Sequence, residues 1–167
     1  AVPIAPVALH LAEGRGHLIA GGFDFLQAND VGPLALDPFL DLRLSRPEKR
    51  NAINDTLVGG IEVFFAGLPQ DIRAVVLYGE GDHFSAGLDL SELTVRDTVE
   101  SMHHSRNWHR VFDLFEFGKV PVIAVMHGAV VGGGLELAAA CHIRVSEKSV
   151  YFALPEGVRG IYVGGGG

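Results

Sequence analysis

Two glutamates and a run of three glycines are the residues of this sequence best suited to chemistry. Gly132, Gly133 and Gly134 precede an alanine-rich segment that contains Glu136, and Glu156 follows twenty residues later. Glycines that open a helix leave backbone N–H groups unobstructed, and the helix dipole favours negative charge at that end. An anion-stabilising backbone beside a carboxylate is an arrangement suited to acyl chemistry. Close packing of a helix on a strand would require the same glycines, so both interpretations stand.

The apolar pattern predicts the elements that position these residues. Residues 120–125 form a β-branched run typical of a buried strand, and residues 135–140 are good helix formers. The three glycines therefore lie at a strand–helix junction. The same patterns predict strands over 39–44, 72–78, 143–146 and 150–152, and helices over about 54–68 and 97–117.

A glycine-containing loop follows the predicted strand over 72–78. Ala86 and Gly87 allow a close approach of the backbone there, and Ser91 is predicted to cap a short helix. Open α/β sheets bind ligands at the carboxyl ends of their strands, so this loop is a candidate binding element. A plain connection would have a similar composition, and the loop alone does not decide between the two.

Composition and charge exclude several classes of protein. The 167 residues are 48% hydrophobic and 20% charged, which is typical of one globular domain. The net charge of −7 argues against general binding of nucleic acid, and no apolar run is long enough to cross a membrane. With Cys141 as the one cysteine, no disulfide framework exists, so we expect a reducing, cytoplasmic environment.

Neither a metal site nor a dinucleotide site is expected from the motifs. The histidines of the predicted helix over 97–117 lack metal-ligand spacing, since His104 and His109 are not four residues apart. The spacing of Gly128 and the three later glycines does not fit the dinucleotide-binding fingerprint.

The two ends of the sequence are its least informative parts. Residues 1–33 are left as an unassigned N-terminal extension, within which residues 17–25 could form a turn between two strands. The last four residues are glycines, which cannot close a domain, so we expect a further segment to be absent.

Four motifs in order carry a family resemblance. RPEKRNAI (46–53) is followed by FSAGLDL (84–90), then by a long signature over residues 119–145, and finally by FALPEG (152–157). Over residues 34–167 the sequence resembles the crotonase (enoyl-CoA hydratase/isomerase) superfamily. The resemblance implies an α/β fold, a spiral of repeated ββα units, that is incomplete at its C-terminus.

The resemblance also implies the ligand. An acyl thioester of coenzyme A is the expected substrate, with no cofactor beyond the coenzyme A that the substrate carries. The family's oxyanion hole falls on the backbone N–H groups of Leu88 and Gly133. The basic residues Lys49 and Arg50 fit the phosphates of coenzyme A. The other substrate-binding positions that the motifs imply are Ala52, Ala86, Gly87, Asp89, Leu90, Gly132 and Pro155.

The two glutamates indicate which reaction of the family to expect. Hydratases that this chain resembles carry glutamate at both positions, so Glu136 would take a proton from water and Glu156 would deliver one to C2 of the acyl group. We therefore expect an enoyl-CoA hydratase, a lyase, which as a full-length chain would form a trimer or a dimer of trimers. A family isomerase or hydrolase, or a truncated module that binds acyl-CoA or a partner without catalysis, remain alternatives.

Overall fold

The computed structural model of the chain describes residues 9–12, 15–18 and 39–165. Three helices are present there: α1 (Asp55–Ala66), α2 (Thr98–Glu116) and α3 (Gly133–Ala140). Short 3-10 turns occupy Pro47–Lys49, Leu90–Glu92 and Glu156–Arg159. The strands are β1 (Leu9–Ala12), β2 (Arg15–Leu18), β3 (Phe39–Leu44), β4 (Ala74–Gly79), β5 (Val122–Met126), β6 (Ala129–Val131), β7 (Ile143–Ser146) and β8 (Tyr151–Ala153).

A parallel sheet in the order β3-β4-β5-β7 forms the centre of the fold. Leu42 pairs with Leu77 and Leu77 with Ala124, and all three side chains are fully buried. Parallel strands require helical crossovers, and α1 and α2 supply them between β3, β4 and β5. Buried side chains of α1, α2 and α3 pack with those of β3, β4 and β5 in one hydrophobic core.

Short strand segments form a second layer. Ile53 bridges Leu88, Ser85 bridges Val130, and β6 pairs with β8, all in the parallel sense. Each long strand is therefore followed by a short strand segment, and the first three of these segments lead into helices. This repeat confirms the predicted spiral of ββα units.

Both crossover helices begin at a capping residue. The Asn54 side chain accepts a hydrogen bond from the Leu57 N–H (2.9 Å) at the start of α1. Asp97 and Glu100 form a reciprocal capping box at the start of α2. The buried residues of α2 are Trp108, Val111, Phe112 and Phe115, so this helix packs on the core through its C-terminal half.

Some predicted details differ from the structure. Ser91 was predicted to cap a short helix, but Asp89 is the cap and its carboxylate accepts a hydrogen bond from the Ser91 N–H (3.1 Å). A capping residue immediately precedes the first residue of the turn, which is Leu90. Asp89 occupies that position and Ser91 lies within the turn, so the Ser91 prediction is wrong. The strand predicted over 72–78 begins at Ala74, and β6 was not predicted. The turn expected within residues 17–25 lies largely outside the described residues.

Candidate active site

The junction between β6 and α3 is held in a conformation that requires glycine. Gly132 has a φ of +54°, and its N–H donates to the Ala153 oxygen (2.8 Å). A Cβ at this position would lie 2.6 Å from Glu156 Oε1, which is closer than side-chain contacts allow. The backbone of Gly132 therefore lies directly against the Glu156 carboxylate.

Two backbone N–H groups lie close together beside this junction. The Ile53 N–H donates to the Gly87 oxygen (2.7 Å) and the Asp89 N–H donates to the Ile53 oxygen (2.8 Å). The Leu88 N–H, between them, therefore points away from Ile53. A Cβ on Gly133 would lie 3.6 Å from the Leu88 nitrogen. Within residues 39–165, neither of these N–H groups, at Leu88 or at Gly133, donates a hydrogen bond.

The two predicted acids are buried at the same place. The side chain of Glu136 is only 5% exposed, and its Oε1 accepts a hydrogen bond from the Gly165 N–H (2.6 Å). Glu156 is 8% exposed, and its buried Oε2 has no hydrogen-bond partner among the described residues. Because a buried polar atom without a partner costs free energy, this oxygen is suited to contact a ligand or water.

A cavity of about 360 Å³ joins these groups. The residues of its lining include all four that the sequence predicted as catalytic: Leu88, Gly133, Glu136 and Glu156. Trp108 forms part of the same wall, since a Cβ on Gly133 would lie 3.2 Å from its Cζ3. The structure thus brings two carboxylates and two backbone N–H groups to one cavity.

A second cavity, of about 380 Å³, adjoins the first and shares Leu88, Glu156 and Ile161 with it. Most of the predicted substrate-binding residues line this second cavity: Lys49, Ala52, Ala86, Asp89, Leu90, Gly132 and Pro155. Arg50 and Gly87 are the two predicted positions outside its lining. Gly87 instead packs against α3, since a Cβ there would lie 3.0 Å from the Gly133 nitrogen.

The carboxylate of Asp89 fastens the loop that carries Leu88. It accepts hydrogen bonds from the Ser91 hydroxyl (2.6 Å) and from the Arg46 guanidinium (2.8 Å), and these bonds lower the pKa of Asp89 to about 2. Arg46 also donates to the Ala52 oxygen (2.7 Å). The Asp89 side chain therefore positions the loop, and a ligand in the second cavity would contact the backbone of Asp89 rather than its carboxylate.

A second set of hydrogen bonds ties the turn after β3 to the loop after β4. Asn51, at a φ of +54°, donates through Nδ2 to the backbone oxygens of Glu80 (2.9 Å) and His83 (2.7 Å). The Ser85 hydroxyl donates to the Asn51 oxygen (2.8 Å). A Cβ on Gly134 would meet Ser85 at 2.7 Å, so α3 rests directly on this network.

The sequence analysis missed Gly165 and Trp108 as site residues. Gly165 has no side chain that could have indicated a role. Its hydrogen bond to Glu136 joins two residues that are 29 positions apart in the sequence. Trp108 belongs to the apolar face of α2, where it was taken only as a core residue. Trp108 lies four residues before Phe112, which indicates a shared helical face. That spacing does not indicate that one edge of the indole ring borders a cavity.

The described part of the chain offers little support for a metal site, a reactive thiol or a membrane-spanning helix. Among the described side chains of residues 39–165, no group of three or more His, Cys, Asp or Glu could hold a metal ion. Burial raises the pKa of Cys141 to about 12, so this thiol stays protonated near neutral pH. None of the described helices has both the length and the apolar character to cross a membrane.

The chain thus combines a ββα spiral with two buried carboxylates that lie beside two backbone N–H groups. Residues 37–167 match the enoyl-CoA hydratase/isomerase family, and the chain belongs to that family. A crystal structure of a proposed enoyl-CoA hydratase from Rhodopseudomonas palustris superposes with a TM-score of 0.77 at 60% identity, covering 79% of this chain and 51% of that one.

Two relatives show the range of reactions in this family. The 2,3-dehydroadipyl-CoA hydratase of Escherichia coli is 36% identical over 130 residues, which are 75% of this chain and 49% of that protein. The mitochondrial Δ(3,5)-Δ(2,4)-dienoyl-CoA isomerase of mouse is 32% identical over 130 residues, 70% of this chain and 40% of that protein. The chain thus spans about half the length, or less, of these relatives.

Proposed function

We propose that this chain carries the catalytic centre of an enoyl-CoA hydratase, which adds water across the 2,3 double bond of an acyl-CoA thioester. One observation carries the proposal: Glu136 and Glu156 share a cavity with two backbone N–H groups that have no partner within residues 39–165. The hydratase named above, from Escherichia coli, supports the choice of reaction.

The two backbone donors would act on the thioester carbonyl. The Leu88 and Gly133 N–H groups can both donate to the carbonyl oxygen, on which negative charge develops as water adds to C3. Gly133 is the first residue of α3, where the helix dipole adds to the stabilisation of that charge. Loss of one such donor costs on the order of 3 kcal/mol in activation free energy.

The two carboxyl groups would divide the proton transfers. Glu136 takes one proton from the attacking water, whose oxygen forms the new bond to C3. Glu156 gives a proton to C2, which completes the addition of one water molecule. One proton then passes back from Glu136 to Glu156 before the next turnover. General acid–base steps of this kind each contribute typically ~10²–10⁴-fold in rate.

The second cavity would hold the coenzyme A portion. Lys49 lines this cavity, and its ammonium group would bind a phosphate of coenzyme A. The backbone from Ala86 to Leu90 would contact the adenine. Because the two cavities share Leu88 and Glu156, a thioester could extend from one into the other past the proposed oxyanion hole. A homo-oligomer and a cytoplasmic location are further parts of this proposal.

Isomerisation is the second candidate, because the mouse relative is an isomerase of the same family. The test is to mix the purified protein with crotonyl-CoA and follow the absorbance of the enoyl thioester. Hydration predicts loss of that absorbance with formation of 3-hydroxybutyryl-CoA and no release of free thiol. Conversion of a 3-enoyl-CoA to the 2-enoyl isomer without hydration would favour the isomerase. Release of free coenzyme A would favour a hydrolase, and binding without turnover would favour a non-catalytic module.

A further inference from the structure

Two basic side chains line the second cavity, and the sequence analysis assigned a role to one of them. Lys49 was expected to bind a phosphate of coenzyme A, whereas Arg159 had no predicted role. Lys49 is the last residue of the 3-10 turn after β3, and Arg159 is the last residue of the 3-10 turn after β8. The fold therefore brings cations from two distant parts of the sequence to one cavity.

The turn that carries Arg159 also carries Glu156. Residues three apart in a 3-10 turn are eclipsed, so the first residue, Glu156, and the last, Arg159, lie on the same side of it. The Gly160 N–H closes the turn by donating to the Gly157 oxygen (3.4 Å). The Ile161 N–H donates to the Glu156 oxygen (3.1 Å). These bonds fix the backbone from which the Arg159 side chain extends beside the second cavity.

The guanidinium of Arg159 is available to a ligand. The residue is exposed, and within residues 39–165 its side chain has no ion pair and no hydrogen bond. It forms no ion pair even with Glu156, on the same turn. A guanidinium carries five N–H donors and stays charged at any ordinary pH. Arg159 therefore offers the cavity a positive charge that no described residue neutralises.

The other charges of the lining leave this cavity positive. The Asp89 carboxylate is already bonded to the Arg46 guanidinium (2.8 Å), so its charge is balanced. Glu156 is the remaining carboxylate among the lining residues, and it carries a proton in the hydration mechanism proposed above. The chain as a whole has a net charge of −7, so a cavity with two unbalanced cations attracts an anion that most of the surface repels.

From this arrangement we propose that Arg159 binds a phosphate group of the coenzyme A portion of the substrate, together with Lys49. The planar guanidinium can donate two parallel N–H bonds to two phosphate oxygens. Arg159 is then a specificity-determining residue, which favours thioesters of coenzyme A over thioesters that lack its phosphates. The inference rests on the proposed hydratase function, because it concerns the far end of the same substrate.

The test compares the hydration of crotonyl-CoA with that of S-crotonyl-pantetheine, which has no phosphate. The measured quantity is the ratio of the two kcat/KM values. We expect Arg159→Met to lower this ratio by about threefold to tenfold, as befits an exposed charged contact, and Arg159→Lys to lower it less. The matched control is Arg106→Met, because Arg106 is exposed on α2 and lines neither cavity. That control should leave the ratio unchanged.

Salt separates a phosphate contact from a structural role of Arg159. Attraction between exposed charges is screened by salt, so the effect of Arg159→Met on the ratio should shrink between roughly 0.1 M and 1 M ionic strength. A role in holding the turn would lower both kcat/KM values together and leave their ratio unchanged at every salt concentration.

Calorimetry with coenzyme A, 3′-dephospho-coenzyme A and pantetheine identifies the phosphate. If Arg159→Met weakens binding of the first two equally, the contact is with the diphosphate; if it weakens binding of coenzyme A alone, the contact is with the 3′-phosphate. If the wild type hydrates crotonyl-CoA and Arg159→Met keeps the wild-type ratio, the inference is overturned and the hydratase proposal stands. If the wild type hydrates neither thioester, the hydratase proposal fails, and an unchanged affinity of Arg159→Met for coenzyme A overturns the inference as well.

Discussion

Gly87 and Gly133 lie so close together that a Cβ on Gly87 would stand 3.0 Å from the Gly133 nitrogen. The contact joins the loop after β4 to the first turn of α3, which are separated by more than forty residues in sequence. Because Leu88 follows Gly87 directly, this approach sets the spacing of the two backbone donors. The oxyanion hole proposed here therefore depends on a residue that has no side chain.

Substitution of Gly87 should disrupt that spacing. Gly87 has a φ of +83°, and a Cβ there would also lie 2.5 Å from the Val131 oxygen. We expect Gly87→Ala to lower the free energy of unfolding by at least about 1 kcal/mol and the hydration rate by about 100-fold. Urea denaturation and the crotonyl-CoA assay measure the two effects. The control Gly157→Ala, where a Cβ meets nothing within 4 Å, should change neither; equal effects of both variants would contradict the assignment.

Gly165 should matter because its N–H holds Glu136. A Cβ at Gly165 would lie 2.8 Å from Phe112 Cε2 and 3.2 Å from the Glu136 carboxyl carbon, so alanine must displace one of them. We expect Gly165→Ala to lower kcat by about tenfold to 100-fold, since small misplacements of catalytic groups have effects of that size. Gly157→Ala, whose Cβ would meet nothing within 4 Å and which lines neither cavity, is the control. A Gly165 variant with unchanged kcat would show that the hydrogen bond does not position Glu136.

The Asp89 carboxylate should make stability depend on acidity. Its hydrogen bonds with Ser91 and Arg46 lower its pKa from 3.8 to about 2 in the folded protein. A lowered carboxyl pKa stabilises the fold above about pH 4, and this contribution is lost as the pH falls towards 2. The free energy of unfolding of Asp89→Asn should therefore lie below that of the wild type by the same amount at pH 7 and pH 5. That difference should narrow at pH 3, and a constant difference down to pH 2.5 would be inconsistent with the role given to Asp89.

Gly59 offers a change that should stabilise the chain. It lies inside α1, and a Cβ there would meet nothing within 4 Å. Replacing a helix-interior glycine by alanine removes conformational freedom from the unfolded chain, so Gly59→Ala should raise the free energy of unfolding by roughly 0.5–1 kcal/mol. Thermal unfolding measures this as an increased Tm, with hydration unchanged. A lower Tm would mean that α1 does not have the packing described.

The hydrophobic period predicted most of the strands and helices, whereas the ββα spiral and the positions of the four proposed catalytic residues were implied by the family resemblance that the four motifs carry. Strand β6 was missed because three residues are too few to show a period of two, and its partner β8 lies twenty residues away. The cap at Asp89 was assigned to Ser91 because both residue types accept such hydrogen bonds. The start of the turn at Leu90, which puts Asp89 at the cap position and Ser91 inside the turn, separates the two.

The central claim is that Glu156 supplies a proton to C2 during hydration. The most direct measurement is the hydration of crotonyl-CoA by Glu156→Gln, with Glu116→Gln as the control because Glu116 is exposed at the end of α2 and outside both cavities. An amide keeps the shape of the side chain but cannot donate that proton, so we expect kcat to fall by at least about 100-fold. Binding of crotonyl-CoA, measured by calorimetry, and the activity of the control variant should be retained. Hydration by Glu156→Gln at the wild-type rate would contradict the account.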